Sequence, residues 1–229
     1  MIPLMTSSRL LGLSQHAAHG TSLFAVATTG LAGALGYAGQ VDYEAAAYIA
    51  VCGMVTARAG ALATTRLSEV ALRKALGVFM LVIAPLVPAK QYLIQTANDA
   101  DASDNPQEPS TVQRFAIPAA IGSCSGFLAG LFGVGGGAVV VPALTLFTDM
   151  NHYEALGTSL TAMVLPALSG TATHFSKGNV NMRVAPFLAV GAFCGAYAGS
   201  KLAQTIKEDN LRWGFSGVMV VLGLRALLK

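Results

Sequence analysis

The segment GFLAGLFGVGGGAVVVP, from Gly126 to Pro142, is the most informative part of this sequence. Four of the five residues at 133–137 are glycine, and each glycine destabilises a helix by about 1 kcal/mol relative to alanine. Apolar residues flank these glycines on both sides. We therefore predict two apolar helical segments, with a helix break between Gly133 and Ala138.

The composition of the whole chain is that of a membrane protein. Of its 229 residues, 54% are hydrophobic and 11% are charged, and the mean hydropathy is +0.59. A soluble domain usually carries about 25% charged residues. The charges present are too few to cover a water-facing surface, which excludes a soluble enzyme, and the apolar content excludes a disordered chain.

The charged residues, histidines and cysteines predict no cofactor, metal or nucleic acid. A net charge of +3 is ordinary for a membrane protein with basic loops. The three cysteines lie in apolar stretches without CxxC spacing, and the four histidines are too scattered for a local metal motif. The acidic sequence DADASDN at 99–105 lacks the glycine and the final carboxylate of a calcium-binding loop.

The apolar residues occur in long blocks, which predict an all-α, polytopic transmembrane helix bundle rather than a barrel of alternating strands. The seven predicted spans lie at 22–39, 45–65, 75–94, 115–132, 160–175, 184–203 and 213–228. A polar, acidic linker at 96–113 separates an N-terminal part, 1–95, from a C-terminal part, 114–229. We expect an integral, multi-pass protein of the plasma membrane.

The two parts of the chain resemble each other in sequence. GTSL at 20–23 recurs at 157–160, an offset of 137, and GQVD at 39–42 recurs as GNVN at 178–181, an offset of 139. Three shorter matches, all at an offset of 139, join Pro3 with Pro142, AG at 59–60 with 198–199, and LR at 72–73 with 211–212. These matches predict two related repeats, which in transporters place the substrate between them near the bilayer midplane.

The N-terminal repeat is incomplete on this alignment. Pro142 follows an apolar segment and the glycines, whereas the matching Pro3 stands almost at the first residue. The counterpart of residues 115–139 is therefore missing from the sequence. We expect an N-terminally truncated form, with a natural short variant as the alternative.

The glycine cluster is the first candidate for a binding site. A helix break inside a membrane leaves backbone N–H groups that must line a cavity or be buried in protein. Gly133, Gly135, Gly136 and Gly137 would let an anion approach those N–H groups, at the positive end of the next half-helix. A dinucleotide-binding loop is rejected because it follows a strand in a soluble fold. A purely structural role in tight helix packing stays open.

Four further residues are candidates for substrate binding. Thr158 and Ser159 carry hydroxyls that can donate hydrogen bonds to a sulfonate-like oxygen, or that can cap a helix start. Arg58 lies within an apolar span, where it either attracts an anion or extends to the membrane surface. His174 lies near Lys177 at the end of the fifth predicted span. The two residues either form the rim through which an anion enters, or act as a proton site, or are an ordinary basic helix end.

Glycines at four-residue spacing mark two predicted packing faces. Such small faces let helices approach closely in lipid. The two sets are Gly122, Gly126 and Gly130, and Gly191, Gly195 and Gly199.

These motifs together resemble the sulfite exporter TauE/SafE family. The resemblance is carried by GLFGVGGGAVVVPAL at 130–144, EALGTSL at 154–160, His174, GNVN at 178–181, AHGTSL at 18–23 and GQVD at 39–42. It implies a polytopic protein of two related repeats that moves sulfite, sulfonates or related small sulfur anions across a membrane. This sequence departs from the family pattern by lacking the first glycine-rich segment.

The resulting expectation is a transporter and not an enzyme, since no nucleophile–base pair or metal motif stands out. Its expected partners are a small anionic substrate and the lipid bilayer, with a second copy of the chain where exposed small faces meet. A structural or non-transporting membrane protein that retains the fold is the alternative, and the missing first segment favours that alternative.

Overall fold

The computed structural model describes residues 15–64, 69–98, 111–132, 137–176, 178 and 180–228, and these residues form helices and no strands. The helices are α1 Gln15–Gly36, α2 Tyr43–Thr64, α3 Glu69–Asn98, α4 Thr111–Phe132, α5 Gly137–Phe147, α6 His152–Ala162, α7 Val164–Ser176, α8 Ala185–Ala203 and α9 Glu208–Leu228. The predicted all-α fold is confirmed for this part of the chain.

The number of membrane spans stays a prediction. Two helical stretches are long and apolar enough to cross a membrane: His152–Ser176, which joins α6 and α7, and α9. Three apolar stretches are shorter, at Thr21–Gly36, Lys74–Ala89 and Phe115–Ala129. Helix α4 ends at Phe132 and α5 begins at Gly137, and the predicted break falls largely on residues outside the described ranges.

The predicted span at 160–175 begins too late, because an N-cap starts the helix earlier. The side chain of Asn151 accepts a hydrogen bond from the backbone N–H of Glu154 at 2.8 Å, so α6 begins at His152. Thr158 and Ser159 therefore lie inside α6, and the interpretation of these two residues as caps of a helix start is wrong.

The surface and the core of the bundle have the polarity expected in lipid. Large apolar side chains such as Val55, Val221 and Phe187 are exposed on α2, α9 and α8. The largest core cluster lies between α2, α4, α5 and α6, with Leu144 of α5 fully buried in it. Exposed apolar side chains of this kind promote aggregation in water, whereas in a membrane they contact the hydrocarbon chains of the lipids.

Among the described residues, the glycines of α4 pack against a neighbouring helix and those of α8 have no neighbour. A Cβ placed on Gly122 would lie 2.7 Å from Cα of Ile49, and one on Gly126 would overlap the backbone of Gly53, so α2 and α4 approach at backbone distance. The packing face predicted on α4 is confirmed at these two glycines. On α8, a Cβ on any of the three glycines would meet no described atom within 4 Å, so the packing face predicted there stays a prediction.

Two turns of the same kind connect α1 with α2 and α7 with α8. Gly39 and Gly178 both have positive φ angles, of 91° and 68°, which favour glycine over other residues. After the first turn, the N–H of Asp42 donates to Oγ1 of Thr158 at 3.0 Å. After the second turn, the N–H of Asn181 donates to Oγ1 of Thr21 at 3.1 Å. Each turn is thus bonded to a helix in the other part of the chain.

We expect Thr158→Val and Thr21→Val to lower the free energy of unfolding. Both threonines are 0% exposed, and loss of either hydroxyl leaves a backbone N–H without its acceptor, at a cost of about 1–3 kcal/mol. Thr173→Val is the matched control, because the exposed Thr173 hydroxyl bonds only the carbonyl of Ser169. The check is the midpoint of thermal unfolding in one detergent. Equal midpoints for Thr158→Val and Thr173→Val would contradict the expectation.

Candidate functional site

A small cavity lies where α2, α4, α5, α6 and α7 meet. Its volume is about 90 Å³, room for a few water molecules or one small oxyanion, since a water takes about 30 Å³. Its lining residues are Ile49, Gly53, Ala57, Ser125, Gly126, Ala129, Gly137, Val140, Ser159, Ala162, Met163 and Pro166. None of these residues is charged, and two of them carry hydroxyls.

Two of the sequence-predicted site residues meet in this cavity. Gly137 is the first described residue of α5, and a Cβ placed on it would lie 3.7 Å from Oγ of Ser159 and 3.8 Å from Sδ of Met163. Ser159 is buried on α6. The α5 N-terminus and one serine hydroxyl therefore face a common space, next to the glycine contact between α2 and α4.

The remaining predicted site residues lie elsewhere or outside the described ranges. Gly133, Gly135 and Gly136 fall outside the described residues, as does Lys177. Thr158 is adjacent to Ser159 but bonds the backbone of Asp42 rather than lining the cavity.

Arg58 and His174 do not line the cavity. Arg58 is exposed on α2, one residue after the cavity-lining Ala57. His174 is half-buried in the last turn of α7. The structure therefore brings together Gly137 and Ser159 and keeps these two basic side chains apart from them.

Ser125 is a cavity residue that the sequence analysis missed. It is buried on α4, and its hydroxyl donates to the carbonyl of Gly122 at 3.2 Å. Its sequence neighbourhood, GSCSG at 122–126, predicted only a packing face. The signal that it also lines a cavity lies in the approach of α2, which no local pattern encodes.

A polar cluster at the start of α9 was also missed. The backbone N–H of the buried His152 donates to Oε1 of Glu208 at 2.7 Å, and Glu208 forms an ion pair with Arg212. The His152 ring stacks edge-on against Phe215 at 5.5 Å between centroids. These contacts hold the first turn of α6 against α9, away from the cavity.

A second, larger depression holds none of the candidate site residues. It has a volume of about 380 Å³ and a mainly apolar lining from α1, α2, α6 and α7. Of these two, the smaller cavity is the better candidate site, because it joins Gly137 with Ser159.

Comparison with known proteins places the chain among membrane transporters. The family model described as "Sulfite exporter TauE/SafE" matches residues 1–226. The probable membrane transporter protein YunE of Bacillus subtilis is 27% identical, over 92% of this chain and 80% of the relative. The probable membrane transporter protein MJ0441 of Methanocaldococcus jannaschii is 26% identical, over 91% of this chain and 78% of the relative. No solved structure matches.

Proposed function

Because the chain belongs to the sulfite exporter TauE/SafE family, we propose that it transports small anions, with sulfite, sulfonates or related sulfur oxyanions as substrates. Membership makes the chain an integral membrane transporter, as its relatives are named. The family description and the hydroxyl and amide donors of the cavity support this proposed substrate class. Nothing in the described residues resembles a metal centre, and the proposed activity is transport without catalysis.

The observation that carries the proposal is the shared cavity of Gly137 and Ser159. The first N–H groups of a helix lack intrahelical acceptors and carry the positive end of its dipole. In the proposed site, the amides of the first turn of α5 and the Ser159 hydroxyl donate hydrogen bonds to the oxyanion. Hydrogen bonds from uncharged groups suit a transporter, since they bind the anion weakly enough for it to be released, whereas a buried cation would bind it too tightly.

The proposed mechanism is alternating access between two related repeats. Two hydrogen bonds support it, from Asp42 N–H to Thr158 and from Asn181 N–H to Thr21. The two donors are separated by the repeat offset of 139, and the two acceptors by the offset of 137. A substrate bound where two such halves meet becomes accessible from either side when the halves rock against each other. The proposed protein has about seven spans, with a helix break between α4 and α5.

The rival proposal is a structural membrane protein that keeps the fold without transport. The glycine face of α8, which meets none of the described residues, supports this rival, because close packing of both repeats is expected in a transporter built from them. Association through this face, as a homo-oligomer, belongs to the same proposal. The two proposals differ in one measurable quantity, the flux of the anion.

Sulfite uptake into proteoliposomes tests the proposal. We expect sulfite to enter vesicles that contain the protein faster than protein-free vesicles, and unlabelled sulfonate to compete. Chloride flux in the same vesicles is the control for a leak. Sulfite flux equal to that of protein-free vesicles would support the structural protein instead.

Arg58→Gln is expected to weaken the apparent affinity for sulfite by severalfold without abolishing flux. Arg58 is exposed on α2 and follows a cavity-lining residue, so it acts by long-range attraction, which salt screens over about 10 Å at 0.1 M. The check is the half-saturating sulfite concentration at low and high ionic strength. An unchanged value at both would mean that Arg58 only extends to the membrane surface.

A further inference from the structure

The imidazole ring of His152 is buried without a hydrogen-bond partner. His152 is 0% exposed, and neither Nδ1 nor Nε2 bonds another group in the described part of the chain. Buried polar side chains without partners are few in folded proteins, because each one loses its hydrogen bonds to water. A neutral imidazole has one N–H donor and one nitrogen lone pair. The ring of His152 can therefore take up a proton without losing any hydrogen bond that it makes in this structure.

Further polar atoms without partners lie on α9, the helix that the first turn of α6 contacts. Glu208 accepts the hydrogen bond of the His152 backbone N–H and pairs with Arg212, four residues further on. Nε of Arg212 and Oγ of Ser216 are buried, and neither bonds a group among the described residues. Polar atoms with unused hydrogen-bonding capacity thus occur on both helices of this contact.

Two charged groups act on the His152 ring, Arg212 and Glu208. Helices α1, α2, α5 and α7 also pack on α6. The other described charged or basic side chains on these helices and on α6 are not among the groups that act on the ring: Glu44, Arg58, Glu154 and His174. A guanidinium repels a protonated imidazole and a carboxylate attracts it, while the positive end of the α6 dipole repels it as well. A protonated ring would thus have two positive neighbours and one negative neighbour.

Few contacts hold the first turn of α6 on the start of α9. They are the hydrogen bond from the His152 N–H to Glu208, the edge-on stack of the His152 ring on Phe215, and the hydrogen bond from the Tyr153 hydroxyl to the carbonyl of Ile206. Because so few contacts join the two helices, a positive charge placed between them is able to separate them.

Helix α6 connects this contact with the candidate anion site. Ser159, which lines the cavity, follows His152 by seven residues. Seven residues are about two helical turns, so both side chains lie on the same side of α6, about 10 Å apart along its axis. A short helix moves as a rigid element. Displacement of the first turn of α6 therefore displaces the Ser159 hydroxyl.

The start of α9 supplies a route for protons from water. Lys207 and Asp209 are exposed on either side of Glu208 in the sequence, and charged side chains at a helix end mark the aqueous surface of a membrane protein. The side chain of Glu208 is 29% exposed and that of Arg212 is 11% exposed. The Glu208 carboxylate therefore extends from the surface to the buried backbone of His152.

We propose that His152 binds a coupling proton, so that a proton gradient drives anion transport. With the ring neutral, the first turn of α6 lies on α9 as in the structure. A proton from water, passed on by the Glu208 carboxylate, adds to the free lone pair of the ring and forms an N–H bond. The imidazolium then separates α6 from α9, and α6 carries Ser159 with it, which changes access to the cavity. Only the coupling to anion flux rests on the proposed function.

The emission of Trp213 tests proton binding without any substrate. Trp213 is the one tryptophan of the chain and adjoins Arg212 on α9. We expect its emission in nanodiscs to change reversibly between about pH 8 and pH 4, at constant helix content. His152→Gln, which keeps a polar side chain that does not titrate, should abolish this change. His174→Gln, the same substitution on α7, is the matched control and should retain it.

Two substitutions should move the midpoint of this emission change in opposite directions. Glu208→Gln keeps an acceptor for the His152 N–H but removes the attracting charge, so the midpoint should fall by about one pH unit. Arg212→Gln removes the repelling charge, so the midpoint should rise by about one pH unit. A histidine that only fills space would give neither shift. Either variant tests its own direction if the other fails to fold.

Coupling is measured as the uptake of ethanesulfonate into proteoliposomes, because the charge of a sulfonate does not change over this pH range. An inward proton gradient should raise the initial rate severalfold in the parent protein and in His174→Gln. In His152→Gln the gradient should have no effect, whereas exchange of labelled for unlabelled ethanesulfonate should persist without a gradient.

Three results would overturn the proposal. They are an emission of Trp213 that does not respond to pH, the same response in His152→Gln as in the parent protein, and a gradient effect that survives His152→Gln. Absence of any anion flux in the parent protein would contradict the proposed transport function instead. The emission of Trp213 would then still decide whether His152 binds the proton that moves α6.

Discussion

Gly126→Val is expected to destroy the contact between α2 and α4 and to leave little folded protein. A Cβ at this position overlaps backbone atoms of Gly53 and the hydroxyl of Thr56, and backbone cannot rotate away as a flexible side chain can. Overpacking a core costs about 1–3 kcal/mol, occasionally more. We expect a loss of stability at the upper end of this range, because the two helices must separate along their whole contact.

The control is Gly195→Val, the same change on a helix face where the new side chain meets open space. Its unfolding midpoint should stay within a few degrees of the parent protein. The measurement is the fraction of monodisperse protein that survives heating in detergent, together with the yield from membranes. A Gly126→Val protein as stable as Gly195→Val would show that α2 and α4 do not approach at backbone distance.

Gly137→Val is expected to abolish anion flux while the protein still inserts and folds. A Cβ at Gly137 makes only ordinary contacts, at 3.7 Å to Ser159 and 3.8 Å to Met163, and its φ angle is not positive. A valine therefore fits the backbone but fills part of a cavity of about 90 Å³ in which the substrate is proposed to bind. Gly137→Ala, which adds one methyl group, should retain part of the flux.

Flux per molecule in proteoliposomes separates this effect from misfolding. Gly214→Val on α9 is the control, since the new side chain meets open space and Gly214 does not line the cavity. We expect at least a tenfold loss for Gly137→Val and none for Gly214→Val, at equal membrane abundance. Parent-level flux in Gly137→Val would remove this cavity from the transport pathway.

The sequence predicted the fold class and the small-residue contacts of α4 because both depend on local pattern. Long apolar blocks without period-two alternation leave helices as the only described element type. Gly122 and Gly126 recur at the helical spacing that one packing face requires, and the structure places α2 against that face.

What the sequence could not predict depends on which helices become neighbours. The glycines of α8 have the same spacing as those of α4, yet they meet nothing within 4 Å, so spacing defines a face but not its partner. The same limit applies to Thr158 and Ser159, adjacent residues of one helix: the first bonds the turn at Asp42 and the second lines the cavity. Only the positions of α2 and α5 distinguish them.

The exchanged bonds of Thr158 and Thr21 have a consequence for the ancestry of the chain. Each threonine accepts a hydrogen bond from a backbone N–H in the other part of the chain. A single repeat would leave its turn N–H without this threonine acceptor, at a cost of about 1–3 kcal/mol. On the proposed duplication, a one-repeat ancestor would keep both hydrogen bonds only as a symmetric homodimer, in which the threonine of each copy accepts from the turn of the other.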